Sequence, residues 1–290
     1  MLSAHGRPVK KQTEIEKNRL LKGSLNTRIW SGIKELCETL RIPYHFDIRV
    51  VPADYRFQHV QYKAGQYIHR NGQNFESLYV VNSGFLKTVH LDDLLNDQIL
   101  SFPMKGDVLG VDGIHTGRYA SDVITLSTCD IIVLPYKTLQ AAFKECSNFD
   151  HLLLTILSCD LGRIQSHLCL IGSASSEARV AQFLVRLGQR YGELGYSSNV
   201  FELRMARHEI GSYLGLTLET VSRTLTMFHD HGLITVARRC ITINSQQALA
   251  TLRKLYPIEL KKHQSIPTEI SGIPTTLSVS NSFRPAQFLS

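Results

Sequence analysis

The chain of 290 residues lacks several things, and each absence removes a class of protein. No run approaches the ~20 apolar residues of a membrane-spanning helix, so no membrane partner is expected. The opening segment, MLSAHGRPVKKQTEIEKNRL, has no apolar core stretch, and a secretory signal is not read there. The six cysteines are Cys37, Cys129, Cys146, Cys159, Cys169 and Cys240; none forms a C-x-x-C pair. They suggest neither a disulfide framework nor a zinc site, and a reducing cytoplasm is the expected location. Also missing are G-x-S-x-G, H-E-x-x-H and a phosphate-binding loop, so the chain is not expected to be an enzyme.

What is present is apolar and unevenly charged. Apolar residues make up 43% of the chain, enough for a sizeable core in two modest domains, and the net charge is +7. Residues 1–30 carry seven Lys/Arg against two Glu, and residues 31–174 carry 12 basic against 15 acidic residues. Residues 175–256 return to 10 against 6. Basic segments attract polyanions, and counterion release makes nucleic acid the natural partner. A solvated basic face without a partner is the alternative.

The periodicity divides the chain. Residues 1–25 read as a basic flexible arm. Within 26–147, the segment 26–42 reads as one short helix, with Trp30, Ile33, Cys37 and Leu40 on one face. From about Val50 to Leu134, short β-rich runs alternate with glycines, the pattern of a jelly roll or small barrel. Residues 148–172 read as a long helix. Leu154, Leu157, Leu161, Ile164, Leu168 and Ile171 follow one another at spacings of 3, 4, 3, 4 and 3, a heptad seam that predicts a homodimer. Leu152, Leu153 and Ile156 give its first half a second apolar face, expected against the roll. The chain breaks at Gly172 and restarts with a Ser-rich cap, Glu177 lying in the first turn of the next helix. Residues 257–290 are rich in Ser, Thr and Pro and read as a disordered tail.

Residues 173–256 hold the most informative stretch. In ARHEIGSYLG, Ile210 and Leu214 face inward along a first helix. A tight turn follows, and Thr217 can cap a second helix whose inner stripe is Leu218, Val221, Leu225 and Phe228. Glu219, Ser222 and Arg223 then share the outer face at i, i+3 and i+4. A hairpin follows: Ile234–Val236, a turn near Ala237–Arg239, then Cys240–Ile243. Helix, turn, helix and hairpin make a winged helix-turn-helix. Arginine pairs with guanine O6 and N7, a carboxylate accepts from cytosine N4, and serine serves either way. Glu219, Ser222 and Arg223 are therefore the candidate base readers. Arg204, Arg207, Thr217, Thr220, Arg238 and Arg239 are the candidate phosphate or flanking contacts. A surface Glu–Arg pair contributing ~0.2–0.5 kcal/mol is the plain alternative.

LGLTLETVSRTL together with HGLITVARRCITI resembles the DNA-binding domain of the CRP/FNR superfamily of bacterial transcription regulators. The E-x-x-S-R pattern of Glu219, Ser222 and Arg223 resembles the fumarate-and-nitrate-reduction branch. YKAGQYIHRNGQNFESLYVVNSGFLKT and QILSFPMKGDVLGVDGI resemble that branch's β-roll. The likeness covers about residues 45–255. It implies an α+β fold: a cyclic-nucleotide-binding-like roll, a dimerisation helix and a C-terminal winged helix-turn-helix. It also implies a homodimeric regulator, in this family commonly an activator, bound to a TTGAT-N4-ATCAA inverted repeat on double-stranded DNA, with RNA polymerase as a partner.

Two departures bear on cofactors. Oxygen-sensing relatives hold an iron–sulfur cluster on N-terminal cysteines plus one in the roll. Here the N-terminal region offers only Cys37, and the roll position corresponds to Ile132, with Cys129 three residues away; four thiolates are the usual requirement. Cyclic-AMP-binding relatives place a Glu and an Arg–Ser pair in the phosphate cassette, where this chain has Val111 and Tyr119–Ala120. No cofactor and no metal are therefore expected. Haem, redox or a small molecule remain as alternative effectors. The alternatives of another class are a protein-binding scaffold and a cupin-type enzyme, whose metal cluster needs an H-x-H motif plus a Glu; in the stretch after Gly65 His69 stands alone and no H-x-H is read there.

Overall fold

In a computed structural model the described residues are 30–41, 56–91, 97–145 and 148–252. The expected arm (1–25) and tail (257–290) lie outside them. Strand β1 (Trp30–Gly32) is followed by α1 (Ile33–Leu40), then β2 (Arg56–Tyr62), β3 (Tyr67–His69), β4 (Ser77–Ser83), β5 (Leu86–Leu91), β6 (Asp97–Ser101) and β7 (Val108–Leu109). After α2 (Gly113–Thr116) come β8 (Asp122–Thr125), β9 (Cys129–Pro135), α3 (Tyr136–Glu145) and the long α4 (Asn148–Ser173). The C-terminal half comprises α5 (Ser176–Glu193), β10 (Val200–Glu202), α6 (Arg207–Leu214), α7 (Leu218–Asp230), β11 (Ile234–Ala237), β12 (Cys240–Ile243) and α8 (Gln246–Thr251).

The strands through β9 form two antiparallel sheets, ordered β1-β2-β9-β4-β7 and β3-β8-β5-β6. Alternation along β9 explains its near-continuous apolar sequence. Cys129 and Ile131 pack between the sheets with Ile68, Val81, Leu86 and Val123. Ile132 and Leu134 point the other way, into a second cluster with Leu36, Cys37, Phe57 and Leu139. Both faces of this strand are covered, which is why the period-2 pattern fades there. Leu153 and Ile156 of α4 pack against the second cluster, as the extra apolar face of that helix predicts.

The segment 26–42 is not one helix. Trp30–Gly32 pairs antiparallel with Gln58–Arg56 as an edge strand. The helix starts only at Ile33, because the Glu35 carboxylate turns back to accept from the Gly32 amide at 3.1 Å. The 3.6-residue spacing extended over Trp30 by coincidence. Edge strand β1 is fastened by a polar chain in which Ser31 Oγ meets His59 Nε2 at 2.5 Å and His59 Nδ1 meets Asp130 Oδ2 at 2.8 Å.

Helix α4 runs on through Gly172 to Ser173, so the break falls later than expected. Ser175 is the N-cap of α5, accepting from the Ala178 amide at 3.2 Å. The third core unites α5, α6, α7 and the sheet β10-β12-β11 through Phe183, Leu184, Ile210, Leu214, Val221, Leu225 and Phe228. Phe85, Phe102, Met104 and Leu126 of the roll belong to the same cluster. No helix among the described residues is long and apolar enough to cross a membrane.

Candidate nucleic-acid interface

The turn between α6 and α7 is set by two glycines. Gly215 caps α6 in the left-handed region at φ +64°, returning its amide to the Gly211 and Ser212 carbonyls. At Gly211 a Cβ would stand 2.7 Å from the Leu216 carbonyl oxygen, so only glycine lets the turn close onto the helix. Thr217 then caps α7, its Oγ1 accepting from the Thr220 amide at 3.2 Å. Arg179 braces the turn, donating from Nη1 to the Leu214 carbonyl at 3.1 Å.

Helix α7 buries Val221, Thr224, Leu225 and Phe228. Leu218, expected in this stripe, is 45% exposed: as the first residue of the helix it precedes the turn that contacts the core. Thr224 takes a core position instead. Glu219 and Arg223 stand exposed on the opposite face with Ser222 half-buried beside them. Thr226, four residues past Ser222, extends this face; its hydroxyl donates to the Ser222 carbonyl at 3.1 Å. The sequence reading overlooked it, although the same i, i+4 spacing points to it. A backbone amide hydrogen bond at the helix start and the Thr217 hydroxyl hold the Glu219 carboxyl below its ordinary range, so it is an acceptor at neutral pH.

The expected flanking residues lie on the start of α7, the start of α6, the wing and the segment after β10. Thr217 and Thr220 sit at the N-terminal end of α7, their hydroxyls 3.1 Å apart. Arg207 opens α6. The wing is a tight hairpin, Ala237 facing Cys240, with Arg238 and Arg239 exposed at its tip and Arg238 left-handed at φ +57°. Arg204 is engaged at the surface with Glu202 at 2.9 Å, an exposed pair that contributes little and that a phosphate can displace.

On α4, Leu154, Leu157, Leu161, Ile164 and Leu168 are exposed as one stripe, between 40% and 63%. Ile171 departs from it: it is half-buried, and its Cγ2 approaches the helix-turn-helix at Gly215.

Inside the roll, Tyr119, Tyr79, Phe75 and His69 pack on one another. Tyr119 is buried; its hydroxyl donates to the Ser77 carbonyl at 2.8 Å and accepts from the Ser77 amide at 3.2 Å. Its ring stacks on His69 with centroids 3.9 Å apart, and Phe75 meets it edge-on at 5.5 Å. His69 Nδ1 lies 3.1 Å from the Ser121 carbonyl, which assigns the ring proton to that nitrogen, and Nε2 has no partner among the described residues. Burial pushes this imidazole down to about 4. Arg118 turns outward and donates to the Gly72 carbonyl at 2.7 Å.

Among the described residues, the two cysteines singled out for an iron–sulfur cluster do not converge. Cys37 packs on the outer face of the sheet carrying β9, and Cys129 on its inner face. Burial raises both thiols, at Cys37 reinforced by Glu38 and at Cys129 opposed by hydrogen bonds to Ser127 and Phe85. Both are small apolar fillers. An H-x-H triplet does occur, His229–Asp230–His231, but it ends α7 rather than lining the roll, and His231 Nδ1 meets the Met227 carbonyl at 2.8 Å.

A β-roll, a long helix and a winged helix-turn-helix with a polar outer face are the architecture of a DNA-binding transcription regulator. Residues 178–252 match the Crp-like helix-turn-helix domain family, and residues 59–146 match the cyclic nucleotide-binding domain family. Fumarate and nitrate reduction regulatory proteins of Salmonella typhimurium and Escherichia coli are each 33% identical over 188 residues, spanning 65% of this chain and 75% of the relative. FixK2 from Bradyrhizobium japonicum superposes with a TM-score of 0.62 at 26% identity, over 69% of this chain and 99% of that one. A CRP-family transcriptional regulator from Thermus thermophilus shares the fold, with a TM-score of 0.55 at 18% identity over 67% and 95% of the two chains. The chain belongs to the CRP/FNR family of transcription regulators.

Proposed function

We propose that the protein is a cytoplasmic homodimer that binds an inverted repeat of the TTGAT-N4-ATCAA type, without an iron–sulfur cluster or cyclic AMP. The observation that carries this reading is the outer face of α7, where Glu219, Ser222 and Arg223 stand opposite a stripe buried at Val221, Leu225 and Phe228. Arg223 and Glu219 read a G·C pair and its neighbourhood, and Ser222 faces an adjacent T·A pair. Arg204, Arg207, Thr217, Thr220, Arg238 and Arg239 flank them as phosphate contacts, fixing register without reading sequence.

Dimerisation follows from the stripe on α4. Five large aliphatic side chains at heptad spacing stay exposed, and burying them against their copy is the hydrophobic solution. Pairing would set the two α7 helices about one DNA turn apart, ~34 Å, in successive major grooves. The roll is then free to contact RNA polymerase, the route by which such a dimer activates transcription. Cluster-free, nucleotide-free binding is supported by Cys37 and Cys129 on opposite sheet faces and by Tyr119 filling the roll interior.

The test is a mobility shift with protein purified in air, on the inverted repeat and on a scrambled duplex, with and without chelator and cyclic AMP. Sequence-selective retention, unchanged by either addition, is expected. Equal retention on both duplexes contradicts base reading and favours a protein-binding wing. Loss of binding on chelation contradicts the cluster-free reading.

A further inference from the structure

Asp107 lies in the turn between β6 and β7, buried, and both of its carboxylate oxygens are used. Oδ1 accepts from Arg163 Nη1 of α4 at 2.8 Å. Oδ2 accepts from Arg190 Nη2 of α5 at 2.5 Å and from the Met104 amide at 2.9 Å. One carboxylate thus ties together the roll, the long helix and the DNA-binding half. Neither arginine belongs to α7, and Arg163 immediately precedes Ile164 in the exposed stripe. Asp160 also meets Arg163 Nη1, at 3.2 Å, so removing the Asp107 carboxylate would leave the two guanidiniums with only this more exposed counter-charge and no link to the roll.

Further ties at the joint have the same direction. The Ser212 hydroxyl donates to the Asp97 carbonyl at 3.1 Å and accepts from the Ile99 amide at 2.9 Å, so the free edge of β6 ends on α6. Lys87 Nζ on β5 meets Glu209 Oε1 on α6 at 2.6 Å. Phe102 of the roll packs edge-on against Tyr213 of α6, and His167 of α4 stacks on the same Tyr213 with centroids 4.1 Å apart.

We infer that Asp107 is a positioning residue for DNA binding. It fixes the angle between α4 and the DNA-binding half, and through that angle the separation of the two α7 helices in the dimer. The inference rests on the dimeric reading above. It assigns to the turn between β6 and β7 the choice of spacing between half-sites, separate from the choice of bases made by α7.

Affinity is to be measured on duplexes whose two half-sites are separated by two to six base pairs, and on a single half-site. The natural protein should prefer one spacing by about tenfold or more, and Asp107→Asn should flatten that preference to about threefold or less. Half-site affinity, base preference and sedimentation as a dimer should stay unchanged, which a general loss of folding would not allow. If Asp107→Asn does not fold by near-UV circular dichroism, the double variant Arg163→Gln/Arg190→Gln severs the same joint from two side chains that are partly solvent-exposed. A sharp spacing profile that survives in the variant overturns the inference alone. A natural protein with no spacing preference overturns the dimeric reading and the inference with it.

Discussion

The interior of the roll and the outer face of α7 hold similar kinds of side chain in opposite states. In the roll, a hydroxyl, an imidazole and several aromatic rings are turned on one another, with the Tyr119 hydroxyl bound twice by the Ser77 backbone and His69 pressed against its ring. On α7, a carboxylate, a hydroxyl and a guanidinium stand outward, backed by a packed stripe that keeps them there. Polar groups that satisfy each other stabilise a fold; polar groups held apart from each other are available to a partner. The same architecture therefore contains one region whose chemistry, His69 Nε2 aside, is spent internally and one whose chemistry is left for DNA.

The comparison can be broken at the stripe on α4, which in the proposed dimer doubles the open face. Ile164→Asp would place a charge against its own copy, costing several kcal/mol of dimer stability, more than about 100-fold in association. Sedimentation should then show a monomer; an unchanged dimer removes the stripe as the pairing surface. Next comes the closed region. His69 is held neutral by burial, with a native value of about 4 against an ordinary 6.5. The unfolded chain takes up a proton between those values and the folded one does not, so stability should fall as pH drops from about 6.5 toward 4, by up to about 3 kcal/mol. Asp112 and Asp122 partly oppose this by favouring the charged ring. His69→Leu should flatten that slope in denaturant titrations at pH 7 and pH 5, and an unaltered slope would contradict a buried neutral ring.

Smaller effects sharpen the comparison on α7 itself. Arg223→Ala should cost ~1–3 kcal/mol on the inverted repeat and relax the preference at one base pair per half-site. Arg238→Ala should weaken binding to all duplexes alike and reduce the salt slope by about 1. Equal losses on scrambled DNA for both variants would erase the distinction between reading and positioning. Thr217→Ala removes the cap of α7 and should lower stability by about 1 kcal/mol, visible as a shift in Tm with base preference retained. A changed base preference would mean that Thr217 reads sequence rather than shaping the helix.

The C-terminal half was largely legible in the sequence because its signals are local. A cap at Thr217, inward residues at 3 and 4, and a hairpin with two arginines at its tip all lie within about thirty residues. The misreadings are instructive. Leu218 fits the inner period but precedes the first buried turn, and Trp30 fits a helical period while its backbone pairs with β2. Period alone does not locate an element's end; caps and strand partners do. The joint was not legible at all. Asp107, Arg163 and Arg190 are separated by 56 and 83 positions along the chain from carboxylate to each guanidinium, and no local pattern announces such a meeting. Tyr119 was visible only as a departure from a cyclic-nucleotide cassette, and its role as a plug depends on Ser77 and His69 from other strands.

The most direct measurement is selection of bound sequences from random duplex DNA, using protein purified in air with no metal or nucleotide added. An enriched palindrome with TTGAT-like half-sites at a single spacing is the predicted outcome. Enrichment of no sequence, or of an isolated half-site without its inverted copy, would contradict a paired molecule that reads bases through Glu219, Ser222 and Arg223.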